Sequence, residues 1–246
     1  MSNPIEKKPD YSLCDPYSSH ADSDEALRKK KANKIISVLK KHADLAQCHL
    51  LDIGTGSGHI AQLLGNKCKK VTSVNLNDER VVTEGYEFIK VNDVYLPFEN
   101  DSFDIVVSNQ VIEHLPYQDI HINEIYRVLR KGGIAYVATP SKYALIEPHF
   151  KLPFLSWLPK SASNIYVKLL KKKRWDIYPL TLGKLTKLAS PKFKIEDQSL
   201  DIIKHPKEYN LDMYPLLQPV LKILPLFVLR LFRPILPSFI VILRKQ

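Results

Sequence analysis

The sequence predicts an α/β fold: a doubly wound, mostly parallel sheet with an antiparallel closing strand and a helical cap inserted late in the chain. Three observations predict it. Short apolar runs alternate with helical stretches through the first 140 residues, and strands separated by helices build parallel sheets. Leu50-Leu51-Asp52-Ile53-Gly54-Thr55-Gly56-Ser57-Gly58 reads as a buried strand entering a turn and then a helix, with glycine at every second position of the turn. After Pro140 the alternation stops, and Pro148, Pro153, Pro159 and Pro179 break the chain. With 246 residues and 45% hydrophobic content the chain can bury a large core, so a disordered or fibrous protein is excluded.

Residues 1–25 read as a loose arm, polar and broken by Pro4, Pro9 and Pro16, without the apolar stretch a secretory signal needs. Residues 26–46 place Ile35, Ile36, Val38, Leu39, Ala43 and Leu45 among lysines, the pattern of an amphipathic helix. Strands are expected at 49–53, 71–74, 87–91, 103–108 and 134–138, with helices at 59–66, 78–86 and 118–129. Lys131-Gly132-Gly133 reads as a helix C-terminus, where glycine takes positive φ without a Cβ penalty. The core is therefore assigned to 26–140 and the cap, with Phe154 and Trp157 among its apolar residues, to 141–192. Residues 193–246 supply closing strands at 193–203 and 237–243 around an apolar, basic segment at 214–236.

Charge is unevenly placed. The net +10 resolves into −2 over residues 1–140, +9 over 141–192, −2 over 193–203 and +5 over 204–246. Cys14, Cys48 and Cys68 have no metal-ligand or redox spacing, and an odd count argues against a disulfide framework. A cytoplasmic location is expected.

Each glycine of the turn removes a Cβ where a ligand or a neighbouring backbone must come close. A dinucleotide-binding turn would read G-x-G-x-x-G, but His59 stands at the third glycine, and no phosphate-binding lysine follows. An acidic residue followed by G-x-G-x-G resembles the first motif of the class I S-adenosylmethionine-dependent methyltransferases, a Rossmann-like family. The resemblance covers roughly residues 50–140. It implies S-adenosyl-L-methionine as cofactor, with Asp52, Gly54, Thr55, Gly56 and Gly58 around its methionine and ribose portions. A helix N-terminus offers backbone N–H groups to the cofactor carboxylate, and an acidic side chain suits its ammonium and sulfonium.

At the end of the second strand the family carries an acidic residue for the ribose hydroxyls, whereas this chain has Asn75 followed by Leu76. The amide can accept one bond and donate another but is neutral; Asp78 or Glu79 is a candidate to compensate. Asn92-Asp93-Val94 resembles the position where an Asp contacts the adenine amine and the next N–H the ring. Leu96-Pro97-Phe98 and Asp101-Ser102-Phe103-Asp104 continue the resemblance, and Asn109 ends the fourth strand at the cofactor.

Methyl transfer from a sulfonium is an in-line displacement, so a base is needed only to take a proton from a hydroxyl acceptor. Bases are expected beyond the carboxyl ends of strands four and five, where ligands bind in open α/β sheets. Glu113-His114 follows strand four and resembles the E-H-L/V block of small-molecule and ubiquinone-pathway O-methyltransferases; some relatives hold a divalent metal there. Gln110 replaces a carboxylate of that set, and no metal is expected. His149, in Glu147-Pro148-His149, follows strand five at the mouth of the cap. His149, His114 and Glu113 are the candidate catalytic residues; for each, a packing, capping or helix-terminal role is the plainer alternative. The stretch 139–159 looks like bacterial methyltransferases of polysaccharide or glycolipid assembly.

Lys168, Lys171, Lys172, Lys173 and Arg174 lie beside Trp175 and Tyr178, and residues 214–236 place Gln218, Lys222, Arg230 and Arg233 on one arc of a helix that Pro225 must kink or split. Charges interrupt this segment too often for a spanning helix. A cationic stripe beside an apolar face suits an anionic membrane surface; a solvated face, a buried cap or a dimer contact are the alternatives. The expectation is O-methylation of a small, lipid-linked or glycan- or quinone-type acceptor at the inner face of a membrane. RNA methylation and non-catalytic cofactor binding are the rival classes. Nucleic acid is disfavoured because strand four ends in Ser108-Asn109-Gln110-Val111, without an Asn/Asp-Pro-Pro-aromatic block, and there is no Pro-Cys nucleophile.

Overall fold

The computed structural model describes residues 24–210 and 218–246. The predicted arm therefore lies almost wholly outside the described residues, as does 211–217 of the apolar segment. Asp24 accepts a hydrogen bond from Leu27 N and starts helix α1 (Glu25–Lys40), which buries Ile35, Ile36, Val38 and Leu39. Strand β1 (His49–Ile53), helix α2 (His59–Gly65), β2 (Lys70–Asn75), β3 (Glu87–Lys90), β4 (Phe103–Asn109), α3 (Gln118–Val128) and β5 (Leu129–Pro140) follow. Beyond them come α4 (Lys160–Lys171), α5 (Leu182–Ala189), β6 (Phe193–Asp197), α6 (Ser199–Lys204), α7 (Gln218–Ile223), α8 (Leu226–Phe232) and β7 (Ser238–Lys245).

The seven strands form one sheet in the order β3-β2-β1-β4-β5-β7-β6, parallel except for β7, which runs antiparallel to both of its neighbours. Alternation along the strands divides the core between the two faces. Leu50, Ile105, Val107, Ile134, Tyr136, Ile240 and Ile242 pack with α1 and α2. Leu51, Val106, Ala135, Val137, Val241 and Leu243 face Ile122, Ile125 and Val128 of α3, with Leu185 and Ala189 of α5. Chain order reverses between β1 and β4, so both strand tips open on the crevice that binds ligands in such sheets.

Three expectations are corrected. Residues 78–86 form no helix: the N–H groups of Val81 and Val82 donate to the Ser57 carbonyl, Tyr86 donates to the Val82 carbonyl, and Gly85 sits at φ +84. The segment is tied to the glycine turn, which leaves it no helical ladder. Lys131-Gly132-Gly133 does not end a helix; α3 stops at Val128 and the glycines lie within β5. Gly132 takes φ +77 there, and a Cβ on Gly133 would stand 2.9 Å from the carbonyl oxygens of Arg130 and Asp104. The strand expected over 193–203 ends at Asp197, whose carboxylate accepts from Ser199 N and Oγ and starts α6. Pro225 splits the apolar segment, as expected, into two short helices, α7 and α8, with Ile223, Phe227 and Leu231 exposed. No helix among the described residues is long and apolar enough to cross a membrane.

The 141–192 segment has a small core of its own, with Phe150, Leu152, Leu155, Val167, Trp175 and Ile177 buried together. It is fastened to the block after β4 and to α3, with Tyr178 N donating to the Glu113 carbonyl at 2.6 Å and Gln118 Nε2 to the Tyr178 carbonyl at 2.8 Å, and it is closed on itself by Lys142 N donating to the Leu180 carbonyl at 2.8 Å. These bonds lay residues 176–180 across the block that follows β4.

Candidate active site

A cavity of about 260 Å³ opens at the carboxyl tips of β1, β2, β3 and β4. Gly54, Gly56, Asn75, Leu76, Asp93, Val94, Asn109, His114 and His149 line it. Nine of the thirteen residues singled out in the sequence thus meet in one place. The turn after β1 has Gly54, Gly56 and Gly58 at φ +88, +51 and +84, a left-handed backbone that other L-residues resist. Gly54 also needs its missing Cβ for space, since one there would stand 2.5 Å from Val111 Cγ2.

The other four stand behind that surface. Asp52 is buried, accepting from Ser73 Oγ at 2.8 Å, and burial pushes its carboxyl up to about 6, although the Ser73 bond and the Arg28 charge act against the rise. Thr55 Oγ1 bonds the same Ser73 hydroxyl at 2.5 Å. Both tie the turn to β2 from beneath. Gly58 packs against the Val82 carbonyl. Glu113, fully buried, accepts from Thr139 Oγ1 at 3.0 Å.

Asn75 Nδ2 donates to the Asn77 carbonyl at 2.8 Å, which makes its Oδ1 the atom to accept from a ligand hydroxyl. Of the two nearby acids, Glu79 lines the cavity, whereas Asp78 is held in a two-pronged pair by Arg80, at 2.7 Å from both Nε and Nη2. Val94 N donates to Asp93 Oδ1 at 2.6 Å. Arg28 and Lys31 of α1, His121 of α3 and Asp176 of the cap also line the cavity. Sequence reasoning missed all four, because α1, α3 and the cap reach the strand tips only through tertiary packing.

His149 carries the clearest chemistry. Its Nδ1 lies 2.7 Å from Glu147 Oε1, and its Nε2 lies 3.9 Å from Glu113 Oε1. Glu147 is itself fixed, its other oxygen accepting from Phe150 N at 2.7 Å. A carboxylate accepting Nδ1–H leaves Nε2 as the ring's basic atom, the arrangement of an oriented general base. Burial works to lower the His149 pKa, but the Glu147 hydrogen bond and the charges of Glu147, Glu113 and Asp176 together hold it above the ordinary value. Burial raises the Glu113 carboxyl to about 7, against the His149 charge. The His114 ring meets His149 edge-on, with centroids 5.1 Å apart. Glu113, His114 and His149 each place one ligand atom within 4.8 Å of the others. Two donors from the block after β4 and one from the cap thus form a set that could hold a metal ion.

His121 is fully buried, its Nε2 2.9 Å from Ser108 Oγ, and desolvation holds its pKa down at about 4, against the Glu124 charge. A depressed histidine destabilises the fold as acid protonates the unfolded chain. Stability is expected to fall from about pH 6.5 to about pH 4. In paired pH-dependent urea melts, His121→Gln should flatten that limb; an unchanged slope would assign it to other groups.

Residues 51–137 match a family model described as a methyltransferase domain. A "Probable S-adenosylmethionine-dependent methyltransferase" of Mycolicibacterium smegmatis is 34% identical over 98 residues, 38% of this chain and 38% of that one. The chain thus spans less than two-fifths of the length of that relative. A ubiquinone biosynthesis O-methyltransferase of Rickettsia bellii is 28% identical over 200 residues, 70% of this chain and 80% of that one. The solved S-adenosylmethionine dependent methyltransferase from Mesorhizobium loti superposes with a TM-score of 0.58 at 16% identity, over 87% of this chain and 98% of that one. At that identity the likeness is one of fold.

Proposed function

We propose that this chain, which belongs to the class I S-adenosylmethionine-dependent methyltransferases, methylates a hydroxyl of a small acceptor, with His149 taking the proton. The cavity suits the cofactor. Arg28 and Lys31 line the same cavity as the glycine turn and would hold the cofactor carboxylate, Asn75 and Glu79 would meet the ribose hydroxyls, and Asp93 would take the adenine amine. S-adenosylmethionine supplies an electrophilic methyl group on a sulfonium.

The observation that carries the reading is the pairing of a buried Glu147 with a His149 that faces the same cavity as the glycine turn. His149 Nε2 takes the hydroxyl proton as the acceptor oxygen attacks, Glu147 holds the ring in one tautomer and steadies the imidazolium, and Glu113, when ionised, adds negative charge on the Nε2 side. His114 and Asp176 face the same end of the cavity and orient the acceptor. We favour a lipid-linked acceptor, because the cap that carries His149 also exposes Leu145, Ile146, Phe154 and Trp157.

Calorimetric titration with S-adenosylmethionine, then mass spectrometry of bacterial extracts incubated with the loaded protein, tests the proposal. Saturable binding and a product heavier by one methyl-for-hydrogen exchange are expected; absence of binding would sink it, and binding without any product would favour a non-catalytic protein. Asn75→Asp supplies a charged acceptor for the ribose and should tighten cofactor binding about tenfold. An unchanged or weaker Kd would remove Asn75 from the ribose site.

A further inference from the structure

We infer that the outer surface of the cap, centred on α4, docks on an anionic lipid surface and delivers a lipid-borne acceptor to His149. The link to catalysis rests on the methyltransferase reading above; the lipid contact does not. Helix α4 has one side fastened inward, with Ser163 and Val167 fully buried. Ser163 Oγ bonds the Leu155 carbonyl at 3.0 Å. Its opposite side faces solvent with Ile165 and Leu169, one turn apart and 61% and 74% exposed, and at the C-terminal end of the helix Leu170 is 58% exposed as well. A water-soluble surface has no use for three exposed aliphatic side chains on a twelve-residue helix.

The surroundings say what covers them. Between His149 and Trp175 the chain carries seven Lys and Arg and no Asp or Glu, five of them in the run that closes α4 and follows it: Lys168, Lys171, Lys172, Lys173 and Arg174. Just ahead of α4, Trp157 packs edge-on to Tyr143 and Phe154, with centroids 5.8 and 5.4 Å away. All three rings are exposed. Trp157 Nε1 donates to the Ala144 carbonyl at 3.0 Å, which fixes its ring. Aromatic rings, aliphatic side chains and cations without intervening acids are the composition of an interfacial membrane contact, in which the apolar groups enter the headgroup boundary and the cations meet anionic lipid.

One short hairpin joins this surface to the active site. Ile146 pairs with Pro153, Phe154 N donates to the Leu145 carbonyl at 2.8 Å, and Glu147 N donates to the Leu152 carbonyl at 2.9 Å. The exposed Leu145, Ile146 and Phe154 sit at its open end; Glu147 and His149 lie toward its tip, where His149 faces the cavity. An acceptor held in the headgroup layer is thus brought to the base by the element that touches the lipid.

Flotation of the full chain with phosphatidylcholine vesicles, with and without phosphatidylglycerol, tests the inference. The protein should float with the anionic vesicles only. Leu169→Asp should abolish flotation, and the triple change Lys171→Ala, Lys172→Ala and Lys173→Ala should weaken it on the order of 100-fold, at about 1 kcal/mol per cation. Cofactor titration of the same variants reports whether they are folded. Protein that stays in solution, flotation indifferent to lipid charge, or flotation lost with Leu231→Asp in α8 but kept with Leu169→Asp would each overturn it. A concentration-dependent dimer that Leu169→Asp dissolves, without flotation, would overturn it in favour of a second copy. Flotation by a protein that binds no S-adenosylmethionine would leave the lipid contact standing and remove the methyltransferase reading.

Discussion

Replacing His149 by Ala is expected to lower kcat for a hydroxyl acceptor by roughly 100- to 10,000-fold, the usual contribution of a positioned general base. Cofactor affinity should barely change, because the groups argued to hold the cofactor come from β1, β2, β3 and α1. The pH profile supplies a second reading. The base acts neutral, and its environment holds its pKa above the ordinary histidine value despite burial, so kcat should rise with pH through that raised pKa and level off above it. Glu147→Gln keeps the shape but removes the negative charge. The rising limb should then move to lower pH as desolvation takes over, while the plateau falls because the imidazolium loses its support. An undiminished kcat in His149→Ala would show that no base acts there; a limb that stays put in Glu147→Gln would detach Glu147 from the histidine.

Gly58→Ala should cost roughly 2–5 kcal/mol of stability, from the left-handed backbone and from overpacking. The residue sits at φ +84, and a Cβ there would stand 2.1 Å from the Val82 carbonyl oxygen. A backbone oxygen cannot swing aside as a side chain can, so the turn and residues 81–86 must part. Thermal melts with and without S-adenosylmethionine should show a lowered Tm and little of the stabilisation that the ligand confers on the wild type. A variant that melts and binds like the wild type would mean that the turn is not held against residue 82.

The alternation of α and β, the glycine turn and the strand-end residues Asn75, Asp93 and Asn109 were legible in the sequence because they obey local rules: a period of two along strands, positive φ at glycine, and ligands at strand ends. Reading failed where a distant partner overrode local preference. Residues 78–86 have a helical pattern, yet Ser57 takes the amide hydrogens of Val81 and Val82. The glycines after α3 looked like a cap because no local signal shows the carbonyl of Asp104 lying against Gly133.

By itself the sequence determined the order of the strands along the chain, the site of the glycine turn and the two histidine-bearing segments, since backbone sterics and hydrophobic period act over a few residues. Only the tertiary structure decided which residues share a cavity. It set Asp52 and Thr55 beneath the turn, admitted Arg28, Lys31 and Asp176, and brought His149 within 3.9 Å of Glu113 across 36 positions of chain. Burial, charge coupling and a common cavity depend on distance in space, and distance in space is fixed by how the helices and the cap pack on the sheet.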